Sequence, residues 1–129
     1  MHPQRELIVL PQKFAVCRLS GDATIPPWAT EEEFFSITRT ADELSLVCSQ
    51  DLVPEGILCE REWRCLRVAG TMAFSTVGVV AGLSRPLAEA GIGIFVVSTF
   101  DTDYLLAKEH DWPQVIDVLR RQGYPIRES

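Results

Sequence analysis

Residues 61–126 read REWRCLRVAGTMAFSTVGVVAGLSRPLAEAGIGIFVVSTFDTDYLLAKEHDWPQVIDVLRRQGYPI, and the succession of apolar periods along this stretch decides the fold. Residues 63–68 have strand composition. Beyond Gly70, residues 75–90 (STVGVVAGLSRPLAEA) space their apolar side chains for a buried helix that Gly91 terminates. Pro86 lies inside that helix, where it lacks an amide hydrogen and its ring crowds the preceding turn, so a kink or a division into two is expected. Residues 92–99 (IGIFVVST) make a continuous apolar run of strand length, and residues 104–108 a second strand after the Phe100-Asp101-Thr102-Asp103 turn. Asp111 stands where an N-cap belongs, Pro113 suits a first helical turn, and Val115, Ile116, Val118 and Leu119 share one apolar face. Gly123 stops this second helix, and residues 124–126 supply a last short strand.

Strand, helix, strand, strand, helix, strand is the split βαβ order of ferredoxin-like α+β folds, an antiparallel sheet with both helices on one face. Working outward, residues 13–19 (KFAVCRL), 34–40 (FFSITRT) and 44–49 (LSLVCS) also read as strands, the last two joined through Ala41-Asp42-Glu43 as a hairpin. Between the first strand and the hairpin, Pro26 and Pro27 forbid a regular helix, and Trp28 is read as a plug over a core. Phe34-Phe35…Thr38…Asp42…Leu44 aligns with Phe95-Val96…Thr99…Asp103…Leu105 at an offset of 61 (103 − 42), as a degenerate internal duplication would leave. The expected organisation is an amino-terminal, helix-poor unit over residues 1–60 and a βαββαβ domain over residues 61–129.

The chain has 129 residues, 47% of them apolar, enough to bury a core without help from metals or disulfides. With 12 basic against 18 acidic residues and a formal charge of −6, it repels a phosphate backbone on average, so nucleic acid is not an expected partner. No apolar run approaches the roughly 20 residues a bilayer requires, so neither a membrane span nor export is expected. Cys17, Cys48, Cys59 and Cys65 lie in or beside apolar segments without C-x-x-C spacing, which suits reduced core thiols in the cytoplasm. His2 and His110 stand apart from them, so no metal or other cofactor is expected. Gly91-Ile92-Gly93 follows a helix and enters a strand, the reverse of a dinucleotide fingerprint. With no nucleophile motif and no usable acid–base histidine, the chain is read as not an enzyme.

The stretch from Ser75-Thr76-Val77-Gly78-Val79 through Leu87-Ala88-Glu89-Ala90-Gly91-Ile92-Gly93-Ile94-Phe95-Val96-Val97-Ser98-Thr99 to Tyr104 resembles an ACT domain. The likeness is to the regulatory half of aspartate kinases and, more closely, to the ACT units of cytosolic arginine sensors; residues 61–126 carry it, and the first sixty resemble the divergent ACT-like unit found beside such domains. The resemblance implies a regulatory, allosteric protein whose amino-acid effector is held between paired units, in a homodimer acting on an unidentified target. Where the kinases set an acidic residue on the strand, this chain has Phe95, as the arginine sensors are also apolar there. The ligand's amino group must then be met by the turn aspartates or by a facing unit.

The chemistry of such a site follows from the residues as well. A zwitterion needs donors for its carboxylate and acceptors for its ammonium. Amides at Thr76, Val77 and Gly78, at the opening of the first helix, are donors at the positive end of its dipole, beginning at Ser75. Ile94, Ser98, Thr99 and Phe100 lie along or just beyond the neighbouring strand, and Asp101 and Asp103 at its end offer carboxylates to an ammonium or guanidinium. On this reading Asp103→Ala weakens a cationic ligand. Each feature also has a plainer meaning: Ser75 or Thr76 as a helix cap, Asp101 and Asp103 as ordinary turn residues. A protein-interaction module with a decayed pocket is the competing expectation.

Overall fold

The computed structural model describes residues 5–70 and 78–129. Its strands are β1 (Leu7–Val9), β2 (Phe14–Ser20), β3 (Ser36–Arg39), β4 (Glu43–Ser49), β5 (Cys59–Val68), β6 (Ile94–Ser98), β7 (Asp103–Lys108) and β8 (Ile126–Glu128), and its helices are α1 (Val79–Glu89) and α2 (Trp112–Arg121). Two compact units result, Gln12–Trp63 and Met1–Pro11 together with Arg64–Ser129.

In the second unit the order β5-α1-β6-β7-α2-β8 is the ferredoxin-like βαββαβ arrangement expected from the sequence. β7 pairs with both β5 and β6. An additional strand enters on the other side of β5: β1 runs antiparallel to it, Leu7 opposite Val68, and parallel to β8, Leu7 opposite Ile126. The sequence gives no sign of this strand, because Leu7, Ile8 and Val9 are all buried and a strand covered on both faces shows no alternation. One face of this unit's sheet carries both helices. Leu7, Val9, Leu66, Val68, Leu105 and Ala107 meet Leu83 and Leu87 of α1 and Trp112, Val115 and Leu119 of α2 in a single apolar cluster.

Two expectations for α1 need correction. The helix begins at Val79 behind Gly78, four residues later than residue 75. Pro86 does not divide it either. The carbonyl that Pro86 leaves without its helical donor belongs to Gly82, which is exposed, so water can satisfy it. At its other end, the amide of Gly91 bonds the Ala88 carbonyl at 3.0 Å and that of Ile92 bonds Leu87 at 3.0 Å, with Gly91 at φ +77. A β-carbon there is strained by its backbone rather than by neighbours. Gly91→Ala is expected to lower stability by about 1–2 kcal/mol in thermal denaturation followed by circular dichroism.

In the first unit β3, β4, β2 and the start of β5 form antiparallel pairs. Ala15, Cys17, Leu44, Leu46 and Cys48 make its core, and Ala29, in the short 3-10 turn Pro27–Thr30, joins them. Trp28 packs partly buried against the same cluster, as a plug. Among the described residues this unit has no α-helix.

The turns of the two hairpins share one hydrogen-bond pattern. Thr40 N–H donates to Glu43 O at 2.8 Å, and Glu43 N–H donates to Thr40 Oγ1 at 3.1 Å. Thr99 N–H donates to Thr102 O at 2.8 Å, and Thr102 N–H to Thr99 Oγ1 at 3.2 Å. The repeat therefore runs at an offset of 59 (99 − 40), and the counterpart of Asp42 is Asp101 rather than Asp103.

Candidate functional site

Strand alternation builds the site. Along β5, Leu66 and Val68 enter the helix-covered core, so Arg67 between them faces the opposite side of the sheet. Along β7, Leu105 and Ala107 enter that core, so Tyr104 shares the side of Arg67, whereas Asp103 shares the side of Leu105. At the end of the sheet the Thr99 to Thr102 turn closes over this corner. Its buried member is Thr102, whose Oγ1 donates to the Val68 carbonyl at 2.8 Å and ties the turn to the end of β5.

These elements bound a hollow of about 350 Å³ lined by Arg67, Gly70, Thr99, Asp101, Thr102 and Tyr104. That is at the small end of the roughly 300–1,000 Å³ spanned by ligand pockets. Its lining combines a guanidinium, a carboxylate, two threonine hydroxyls and a phenol. The Arg67 guanidinium has no side-chain hydrogen-bond or ion-pair partner among the described residues. Burial pushes the Tyr104 phenol above its ordinary pKa, with Arg67 pulling it down and Asp101 pushing it up, so it is protonated at neutral pH and able to donate. A guanidinium facing a carboxylate across one small hollow can bind the two ends of a zwitterion.

Of the residues the sequence singled out, Thr99 and Asp101 line the hollow. Ser75, Thr76 and Val77 lie outside the described residues. Gly78 is exposed at φ +84, with no described residue near the place of a β-carbon, and it turns the chain into α1. The described amides that open the helix begin at Val79. Ile94 packs against the helix-side core, Ser98 pairs with Asp103 in the β6–β7 ladder, and Phe100 stands 78% exposed at the turn. None of Ile94, Ser98, Phe100 and Asp103 is in the hollow's lining. The hollow's other lining residues, Arg67, Gly70, Thr102 and Tyr104, are not among those the sequence singled out. The flanking apolar Leu66 and Val68 mark the sheet face of Arg67, and that alternation was the available signal.

The sequence model of the ACT domain matches residues 58–121, and a model described as an N-terminal domain matches residues 12–56. The human protein named cytosolic arginine sensor for mTORC1 subunit 1 is 31% identical over 108 residues, which cover 78% of this chain and 33% of that protein. The chain thus spans about a third of the length of the curated relatives it matches. A crystal structure of a protein from Agrobacterium tumefaciens is 40% identical, with a TM-score of 0.92 over 99% of this chain and 96% of that one. The regulatory subunit of aspartate kinase from Thermus thermophilus, at 11% identity and a TM-score of 0.57 over 85% of this chain and 92% of its own, shares the fold. No helix among the described residues is long and apolar enough to cross a membrane.

Proposed function

The chain belongs to the ACT-domain family, and from that premise we propose that it is a non-catalytic regulatory protein that binds a small amino acid. The observation that carries this reading is the presence of Arg67 and Asp101 together in the lining of one hollow of about 350 Å³. Arg67 takes the ligand's carboxylate and Asp101 its ammonium, with Thr99, Thr102 and Tyr104 orienting it. The carboxylate thereby goes to a side-chain cation and not to the helix entrance. The likeness to an arginine sensor supports an amino acid as the ligand, and the protein acts in the cytoplasm as a homodimer on a protein target.

Ligand size bounds the affinity. About ten heavy atoms contributing roughly 0.5 kcal/mol each give about 5 kcal/mol, a Kd near 0.2 mM, suited to reporting cellular amino-acid pools. Titration calorimetry and thermal shift against each of the twenty amino acids at millimolar concentration test the reading. Heat and a raised melting temperature are expected for at least one of them. Silence from all twenty would instead favour a protein-interaction module whose pocket has decayed.

A further inference from the structure

Three of the four cysteines cluster in the Gln12–Trp63 unit, on β2, β4 and β5. In the β2–β5 ladder Cys17 lies directly opposite Cys59. The amide of Arg18 donates to the Leu58 carbonyl at 2.9 Å, which makes Arg18 and Leu58 a hydrogen-bonded pair. Antiparallel ladders alternate, so the adjacent Cys17–Cys59 pair is a non-hydrogen-bonded one, with Cα atoms about 4.5 Å apart and side chains drawn together. That spacing lies inside the roughly 4.4–6.8 Å window a disulfide accepts. Cys48 is differently placed. It pairs with Ala15, and Leu46 pairs with Cys17, so Cys48 is a diagonal neighbour of Cys17, at about 7–8 Å between Cα atoms, beyond ready bridging.

We infer that Cys17 and Cys59 form an oxidisable dithiol, a modification site at which a small disulfide such as oxidised glutathione installs a β2–β5 cross-link. Access is on the Cys59 side, because Cys59 is half-buried where Cys17 is almost wholly covered. The Cys59 thiolate, its proton lost to solvent, attacks one sulfur of oxidised glutathione, forming a mixed disulfide and expelling one glutathione thiolate. Cys17, having lost its own proton, then attacks the Cys59 sulfur and expels the second. Two protein thiols are oxidised, one glutathione disulfide is reduced, and the two departing thiolates take up the two protons. Burial raises the Cys59 thiol's pKa, while side-chain hydrogen bonding with Cys48, followed by burial, raises that of Cys17. Thiolate is thus scarce at neutral pH and the cross-link forms slowly.

The test incubates the folded full chain with oxidised glutathione and maps disulfides without reduction. Trypsin leaves Cys17 in residues 14–18 but keeps Cys48 and Cys59 together in residues 40–61, so a second cut after glutamate is needed to separate residues 44–55 from residues 56–60. A link between residues 14–18 and 56–60 is expected, lost in Cys59→Ser and retained in Cys48→Ser. A link running to Cys48 or Cys65, persistence of the glutathione adduct on Cys59 without closure, or thiols that stay reduced throughout would each overturn the inference.

Discussion

Arg67→Ala is expected to weaken amino-acid binding by roughly ten- to a hundredfold in calorimetry while leaving stability within about 0.5 kcal/mol. Arg67 lies on the sheet face opposite the helix-covered core and has no ion-pair partner among the described residues, so its loss leaves no charge stranded. A hydrogen bond to a charged group contributes about 1.5–3 kcal/mol, and each 1.4 kcal/mol is a factor of ten in Kd. The companion variants sharpen the result. Asp101→Asn keeps the side chain's size and removes the charge facing the ligand's ammonium, so a comparable loss is expected. Asp103→Asn changes a residue on the helix side of β7, and binding should be nearly unchanged. Strong weakening by the Asp103 change with none from Arg67 would move the site to the other face of the sheet.

Leu119→Ala is expected to destabilise the chain by about 2–5 kcal/mol, read as a lowered urea midpoint. Leu119 is wholly buried, and it meets residues of β5, β7 and α1 in one cluster. Its truncation removes apolar contact and leaves a cavity, and because those partners come from three segments of chain, local collapse cannot close it. Domains are typically stable by only about 5–15 kcal/mol, so the variant is expected to lose a large share of its margin. A loss below about 1 kcal/mol would mean that α2 is not packed on the sheet as described.

The hairpin at Thr99–Thr102 shows how far sequence reading reaches. Two strands around a polar turn were legible from composition alone, though the sequence reading ended the first strand at Thr99, which the structure places in the turn. Which aspartate enters the hollow was not legible. Asp101 and Asp103 are equivalent as turn residues, and only the onset of β7 at Asp103 subjects the latter to strand alternation and sends it to the helix side. The alignment at an offset of 61 made the same two-residue error, because it matched residue identities, Thr38 with Thr99 and Asp42 with Asp103 among them, while the threonine-capped turns repeat at 59.

By itself the sequence determined the order of strands and helices within residues 61–126, the βαββαβ class and the family likeness, since these follow from local apolar period and turn chemistry. Tertiary structure alone decided that Leu7–Val9 is a strand between β5 and β8, and that Arg67, Asp101 and Tyr104 meet at one corner. The physical reason is the same in both cases. Pairing across a ladder joins residues dozens of positions apart, and neither a buried three-residue strand nor the face of a single arginine leaves a repeating local pattern to be read.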